Sequence, residues 1–240
     1  MTDVSASALP PRLIGVGVGP GDPELLTLRA GRAIHEADLI FAPTRRAGGR
    51  SMALEIVAAH LDSSRQRIEI VPFPESRTGE SWEAAARDIL AALGVSGQGV
   101  FLTEGDPMLF GSFGRLMTAL RSLQPGLMIE IVPGVSSVTA AAAAAGVELT
   151  DYNDRLAIVP ATTTLDEVDD ALLRFDCVVI LKVGAVLGDL LRLLEQHNLL
   201  DQAVYVQRCG WPDQRIVHDV RLLLAEPPRD YFALLIVRRR

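Results

Sequence analysis

Leu13-Ile-Gly-Val-Gly-Val-Gly-Pro-Gly-Asp22 decides how the rest of the chain is read. Glycines at 15, 17, 19 and 21 are separated by Val16, Val18 and Pro20. Pro23-Glu-Leu-Leu-Thr-Leu-Arg-Ala30 follows directly and has helical character. A buried strand therefore runs into a glycine turn and out into a helix. Glycine lacks a Cβ, so backbone of this kind at a strand end can come close to a ligand. A plain strand-to-helix turn needs one glycine pair. Four glycines and a Pro-Gly-Asp turn exceed that need, and the stretch reads as one wall of a ligand site.

Strand-like runs at 12–18, 38–41, 67–71, 99–103 and 128–132 alternate with helix-like runs at 24–37, 51–61, 80–93 and 111–123. This alternation predicts an α/β domain over residues 11–134, a mostly parallel sheet with helices on both faces. An alanine-rich helix at 137–145, stopped by Gly146, forms a connecting segment over 135–150. The pattern then changes. Strand-like runs at 156–159, 177–183, 203–207, 215–222 and 231–237 are joined by helix-like runs at 165–175 and 186–197. They predict a C-terminal mixed-sheet α+β domain over 135–240. Arg238-Arg-Arg240 reads as a frayed, soluble tail.

Hydrophobic residues make up 49% of the 240, enough for a sizeable core, and no apolar run reaches the length of a bilayer span. The first ten residues carry neither a basic segment nor a long apolar core, so a loose leader is expected rather than a secretory signal. Cys177 and Cys209 lack metal or redox spacing and lie in apolar runs. Buried free thiols, a cytoplasmic setting and no metal follow as expectations. The formal net charge of −7 argues against nucleic acid or a membrane surface as partner. Of the 23 basic residues only Lys182 is lysine, so an anionic substrate would meet mainly guanidinium forks, which suit carboxylates.

In open α/β sheets, ligands bind beyond the carboxyl ends of the strands. Three strand ends here carry unusual turns: Gly19-Pro-Gly-Asp22, Thr103-Glu-Gly-Asp-Pro107 and Pro133-Gly-Val-Ser-Ser137. Parallel strands would bring all three to one sheet edge. The common nucleotide motifs fail. Counting from Gly15 or Gly17 puts Pro20 or Asp22 where a dinucleotide fingerprint needs its last glycine, and Ala42-Pro43 stands where its acidic residue belongs. No Gly-Lys-Ser/Thr is present, which excludes a P-loop. Ile14 replaces the acidic residue that the commonest methyltransferase fold places before its first glycine. An uncharged or cationic cofactor fits better than a phosphate-gripped one, held by backbone groups and carboxylates such as Asp106.

Gly15–Ala30, Glu104-Gly-Asp-Pro107 and Val132-Pro-Gly-Val-Ser-Ser137, in this order and spacing, resemble the tetrapyrrole methylases of cobalamin and sirohaem synthesis. Asp106-Pro-Met-Leu-Phe-Gly-Ser-Phe113, Pro43-Thr-Arg-Arg-Ala-Gly-Gly-Arg-Ser-Met-Ala53 and Trp211-Pro-Asp-Gln-Arg-Ile216 are most similar to the branch that methylates C20 of precorrin-2. The resemblance implies two α/β domains, S-adenosyl-L-methionine (SAM) in the cleft between them, and a homodimer. It implies a cofactor shell of Pro20, Glu104, Gly105, Asp106, Leu109, Ser136, Ser137, Val183 and Gly210. This chain has Ser136-Ser137 where other members have Thr-Ala, and Glu104 where others have Gly, which leaves backbone contacts intact.

The implied reaction moves an activated methyl to a nucleophilic carbon, so in-line approach matters more than covalent help. The substrate would be precorrin-2, a reduced macrocycle rich in carboxylates. Arg45, Arg46, Arg50 and Ser112 are its expected contacts; a solvated basic loop accounts for the arginines equally well. Trp82 and Trp211 suit either the macrocycle or ordinary partial burial. No catalytic base is named: His35 and His60 fall in helix-like runs and His218 in a strand-like run, where structural roles are expected. The rival readings are methylation of the cobalt-containing counterpart, methylation of another ring position, a non-catalytic SAM- or tetrapyrrole-binding module, and a nicotinamide-dependent oxidoreductase.

Overall fold

In the computed structural model, which describes residues 10–45, 48–73, 79–95, 97–225 and 230–239, the first strand β1 is Arg12–Gly17 and every residue in it after Arg12 is buried. β1 lies between two parallel neighbours, β4 (Gln98–Thr103) and β5 (Met128–Val132). β2 (Leu39–Thr44) and β3 (Arg67–Pro72) complete a five-stranded sheet in the order β3-β2-β4-β1-β5, parallel throughout. Strands covered on both faces carry near-continuous apolar runs, as β1, β2 and β4 do. Helices α3 (Gly79–Leu93) and α4 (Phe113–Leu123) pack on the face bearing Leu13, Leu39, Phe41 and Phe101. The alternate residues Ile14, Val16, Ile40, Val100 and Leu102 are buried on the other face, where α1 (Leu28–Glu36) and α2 (Met52–Ile56) lie.

The run expected as one helix over 24–37 is two pieces. The Asp22 carboxylate accepts from Glu24 N–H at 2.8 Å and starts a short 3-10 turn, Pro23–Leu25. Leu26 and Thr27 are then extended, and Thr27 Oγ1 accepts from Ala30 N–H at 3.1 Å as the N-cap of α1. Both side chains satisfy amide donors that a continuous helix would have paired with carbonyls. At the opposite end of the strands, Glu130 of β5 accepts from Arg12 and Arg29. The Arg12 guanidinium, and then Arg29, hold the Glu130 carboxyl below the usual range.

The residues from Ser137 onward form a second unit. Its sheet is mixed, in the order β6 (Leu156–Pro160), β7 (Cys177–Leu181), β10 (Ala233–Arg238), β8 (Ala203–Gln207), β9 (Arg215–Val217). β6 and β7 are parallel; the remaining pairs are antiparallel. Helix α5 (Ser137–Ala145) packs Val138, Ala141, Ala142 and Ala145 on one face, against Val179, Val206 and Ile236. α6 (Leu165–Arg174) and α7 (Leu187–Gln196) cover the other through Leu172, Leu190, Leu191 and Leu194. Gly146, at φ +66°, ends α5: Val147 N–H reaches back to Ala142 O at 2.9 Å and Gly146 N–H to Ala143 O at 3.2 Å, a Schellman closure.

Two expectations for this unit are corrected. The strand expected over 215–222 stops at Val217, because Asp219 Oδ1 accepts from Arg221 N–H at 3.2 Å and turns Val220–Leu223 into a 3-10 segment. His218 therefore lies past the strand, exposed. Arg238 and Arg239 are not part of a frayed tail. Arg238 ends β10 and pairs with Asp154 at 2.6 Å, while Arg239 donates to Leu172 O and Leu173 O at 3.0 and 3.1 Å, near the end of α6. Arg240 lies outside the described residues, as do residues 1–9 of the expected leader.

Candidate functional site

Because β4, β1 and β5 are adjacent and parallel, their three carboxyl-end turns meet on one edge of the first sheet. Hydrogen bonds continue past the strands. Val18 N–H donates to Thr103 O at 2.9 Å, and Gly19 and Gly105 form an antiparallel bridge, with Gly105 N–H to Gly19 O at 2.7 Å. Asp106 joins the second turn to the third: its Oδ2 accepts from Gly134 N–H at 3.0 Å and its Oδ1 from Met108 N–H at 2.8 Å.

The glycines act differently from the sequence-based expectation. A Cβ on Gly17 would lie 2.5 Å from Gly134 N and 2.6 Å from Gly105 O; one on Gly134 would lie 2.2 Å from Gly105 O. A Cβ on Gly15 would fall 2.3 Å from the Phe113 ring. The space cleared at Gly15 and Gly17 is thus filled by the protein's own ring and backbone. These two glycines let the three turns close-pack, and an approach to a ligand is left to the chain from Gly19, at φ +79°, onward.

On this edge Pro20 is half-buried, Glu104 is exposed, Gly105 holds φ +65°, and Ser136 is half-buried before α5. Ser137, also half-buried, is the first residue of α5 and belongs to the second unit. After Asp106 the chain presents Met108, Leu109 and Phe110, all exposed, with Phe110 at φ +52°. A bulky side chain in the left-handed region costs about 1–3 kcal/mol and marks a place where function competes with relaxation. Sequence reading assigned only Leu109 of this run. The available signal was three apolar residues directly beyond a strand end, where burial is hard to supply. Ser112 precedes α4 and makes no side-chain capping bond to it.

At the end of β2, on the same edge, Thr44 is buried and Arg45 exposed. Arg46 lies outside the described residues. Arg50 is exposed and pairs with Glu55 at 2.8 Å; an exposed pair of this kind holds its guanidinium only loosely. Trp82 is buried against Phe73, ring centroids 5.0 Å apart, so it serves the first core and not a ligand. His35 and His60 are exposed at the ends of α1 and of a 3-10 turn, away from the strand-end loops in sequence and in the sheet.

In the second unit, β7 and β8 both run antiparallel to β10 and so end on one edge. Lys182 follows β7 at φ +62° and Arg208 follows β8 at φ +49°. Val183 is fully buried in the core formed with α6 and α7, so only its backbone is available to a ligand. Gly210 holds φ +80°, and its N–H donates to Gln214 Oε1 at 2.8 Å. Arg208 binds Asp213 at 2.7 Å and lies 5.0 Å from the Trp211 ring centre. Sequence reading missed Lys182 and Arg208 as edge residues, because left-handed backbone at a non-glycine leaves no mark in composition.

Cys177 and Cys209 are free and buried, as expected. Burial pushes the Cys177 thiol up to about 11 and that of Cys209 in the same direction, so neither offers a thiolate near neutral pH. Among the described residues no group of three or more His, Cys, Asp or Glu could hold a metal ion. No helix among them is long and apolar enough to cross a membrane.

Comparison with known proteins matches residues 12–222 to the Tetrapyrrole (Corrin/Porphyrin) Methylases. The chain is 32% identical over 233 residues to the cobalt-precorrin-2 C(20)-methyltransferase of Salmonella typhimurium, covering 95% of this chain and 97% of the relative. It is also 32% identical over 247 residues to the precorrin-2 C(20)-methyltransferase of Sinorhizobium sp, covering 94% of each. Among solved structures, the uroporphyrin-III C-methyl transferase of Thermus thermophilus complexed with S-adenyl homocysteine aligns with a TM-score of 0.67 at 26% identity, over 95% of this chain and 97% of that one.

Proposed function

The chain belongs to the tetrapyrrole (corrin/porphyrin) methylases, and from that premise we propose that it transfers a methyl group from SAM to C20 of precorrin-2, giving precorrin-3A in cobalamin biosynthesis. One observation carries the reading: two C20-methyltransferases match the chain at 32% identity over 94% or more of its length. The structural relative bound to S-adenyl homocysteine supports SAM as the donor.

The residues on the first sheet's edge suit such a cofactor. No phosphate-gripping motif is present, while the half-buried backbone at Pro20, Gly105 and Gly134 and the exposed Glu104 carboxylate suit a cationic ligand. On this reading Pro20, Glu104, Gly105, Asp106, Leu109, Ser136 and Ser137 hold SAM, together with Gly210 and the backbone of Val183. When bound, SAM supplies a methyl already activated on a sulfonium. The protein's work is then positional. Asp106 holds the second and third turns at fixed separation, which sets the line of approach. Met108, Leu109 and Phe110 offer apolar surface that excludes water from the reacting carbon. Arg45, Arg46, Arg50 and Ser112 are the substrate contacts of this reading. Transfer would break the sulfonium carbon–sulfur bond, leaving S-adenosylhomocysteine, and C20 would then give up a proton; no side chain is assigned to receive it.

A homodimer and a cytoplasmic location belong to the same proposal, the first from the resemblance and the second from two free, buried thiols. Purified protein incubated anaerobically with precorrin-2 and SAM should yield a product carrying one added methyl at C20, read by mass spectrometry and by NMR of the isolated product. Exclusive turnover of cobalt-precorrin-2 would move the assignment to the metal-containing substrate. A methyl at another ring position would move it to a different member of the family.

A further inference from the structure

The geometry points to Lys182 as the anchor for a carboxylate of the tetrapyrrole on the second sheet's edge; this rests on the substrate class proposed above. Lys182 is the only lysine in a chain with 23 basic residues. It stands one residue past β7, half-buried, with φ +62° and ψ +38°. A β-carbon disfavours that conformation, and Lys182 precedes a short 3-10 turn, Val183–Ala185, and does not follow a helix C-terminus, where left-handed residues are common. The strain therefore calls for a cause outside local structure.

The surroundings supply one. Leu181 pairs with Leu234, which places Lys182 level with Ala233 and beside Tyr231 and Phe232. Lys182 Nζ lies 5.4 Å from the Tyr231 ring centre, and Tyr231 meets Phe232 edge-on with centroids 5.4 Å apart. Across β10, Arg208 faces the Trp211 ring. Among the described residues, the acids of this edge are already committed. Asp213 is held by Arg208 at 2.7 Å, and Asp230 accepts from Phe232 N–H at 2.8 Å and lies 3.8 Å from Arg208. Among the described residues, no carboxylate is within ion-pairing distance of the Lys182 ammonium. A cation held against an aromatic ring with no counter-ion among the described residues, on an edge that carries two further aromatic rings, matches a flat macrocycle with carboxylate arms. A lysine suits this role because its ammonium is a point charge on a long stem, able to follow one arm of a substrate whose ring changes shape.

SAM also carries a carboxylate, so the test separates the two sources. The full-length protein, Lys182→Ala and Lys182→Arg are compared by calorimetric titration with SAM, by absorbance titration with uroporphyrin III as a stable carboxylated tetrapyrrole, and by steady-state kinetics with precorrin-2. Lys182→Ala should raise the uroporphyrin Kd and the precorrin-2 KM by about tenfold, as loss of one charge-assisted contact does. SAM affinity should stay within about twofold and kcat should change less than KM, and Lys182→Arg should recover most of the loss. Equal weakening of SAM binding, or an unchanged uroporphyrin Kd, overturns the assignment. Wild-type protein that binds uroporphyrin through Lys182 yet leaves precorrin-2 unmethylated overturns the substrate reading alone. Wild-type protein that methylates precorrin-2 and is indifferent to Lys182→Ala overturns this inference alone.

Discussion

Both carboxylate oxygens of Asp106 are engaged by backbone amides, one in its own turn at Met108 and one in the neighbouring turn at Gly134. Its side chain then acts on a cofactor through the position of two loops, and the contact with SAM in the proposed shell falls to its backbone. Replacing it with alanine leaves two amides without their acceptor and frees the second turn from the third. Asp106→Ala should cost about 2 kcal/mol of stability, the range for hydrogen bonds to a charged group. SAM affinity should fall by about tenfold, with tetrapyrrole affinity changed less. Asp106→Asn keeps one acceptor oxygen and should fall between the two. Urea unfolding and SAM calorimetry on the same samples check this: a normal unfolding midpoint with lost SAM binding would mean direct contact and no tether.

Glycine has opposite meanings in different elements of this chain. In β1, Gly17 is pressed against Gly105 and Gly134, where an added methyl would overlap backbone at 2.5 Å. In α1, Gly31 would meet nothing within 4 Å. Gly17→Ala should therefore lose about 1–3 kcal/mol by overpacking, while Gly31→Ala should gain up to about 1 kcal/mol by removing backbone freedom from the unfolded chain. Urea denaturation of the pair reads both signs, and destabilisation by Gly31→Ala or tolerance of Gly17→Ala would refute the contrast. The same element scale explains why Arg238 and Arg239 are not part of a tail. β10 lies between β7 and β8, and Leu234, Leu235, Ile236 and Val237 are all buried. Arg238 and Arg239 are carried into place by the strand that precedes them.

For the molecule as a whole, each of the two units has its own apolar core, and ligand binding should register as global stabilisation. SAM at a hundredfold excess over its Kd should add about 2.7 kcal/mol, which for a chain of this size raises Tm by roughly 5–10 °C. NAD should leave Tm unchanged. A thermal shift with NAD and none with SAM would restore the oxidoreductase reading and remove the methylase function.

Much of the architecture is legible in the residues. Apolar runs of five to six residues alternating with helical periods imply a parallel sheet, because only burial on both faces tolerates them. Three turns rich in glycine, proline and aspartate, each at a strand end and each leading to a helix, imply one shared edge once the strands are parallel. These readings rest on local pattern and on the fixed directionality of parallel strands. Other features depend on which parts of the chain meet. Asp106 became a tether, Gly17 a packing glycine and Trp82 a core residue only when their neighbours 28, 117 and 9 positions away were in place. The central place of β10 and the strained backbone of Phe110, Lys182 and Arg208 are of the same kind. Sequence patterns carry the preferences of neighbouring residues, whereas pairing order, close packing and strain are set by contacts between distant ones. The Gly15–Asp22 stretch shows both: its strand and turn follow from the residues themselves, and its role in bringing three loops together follows from the fold.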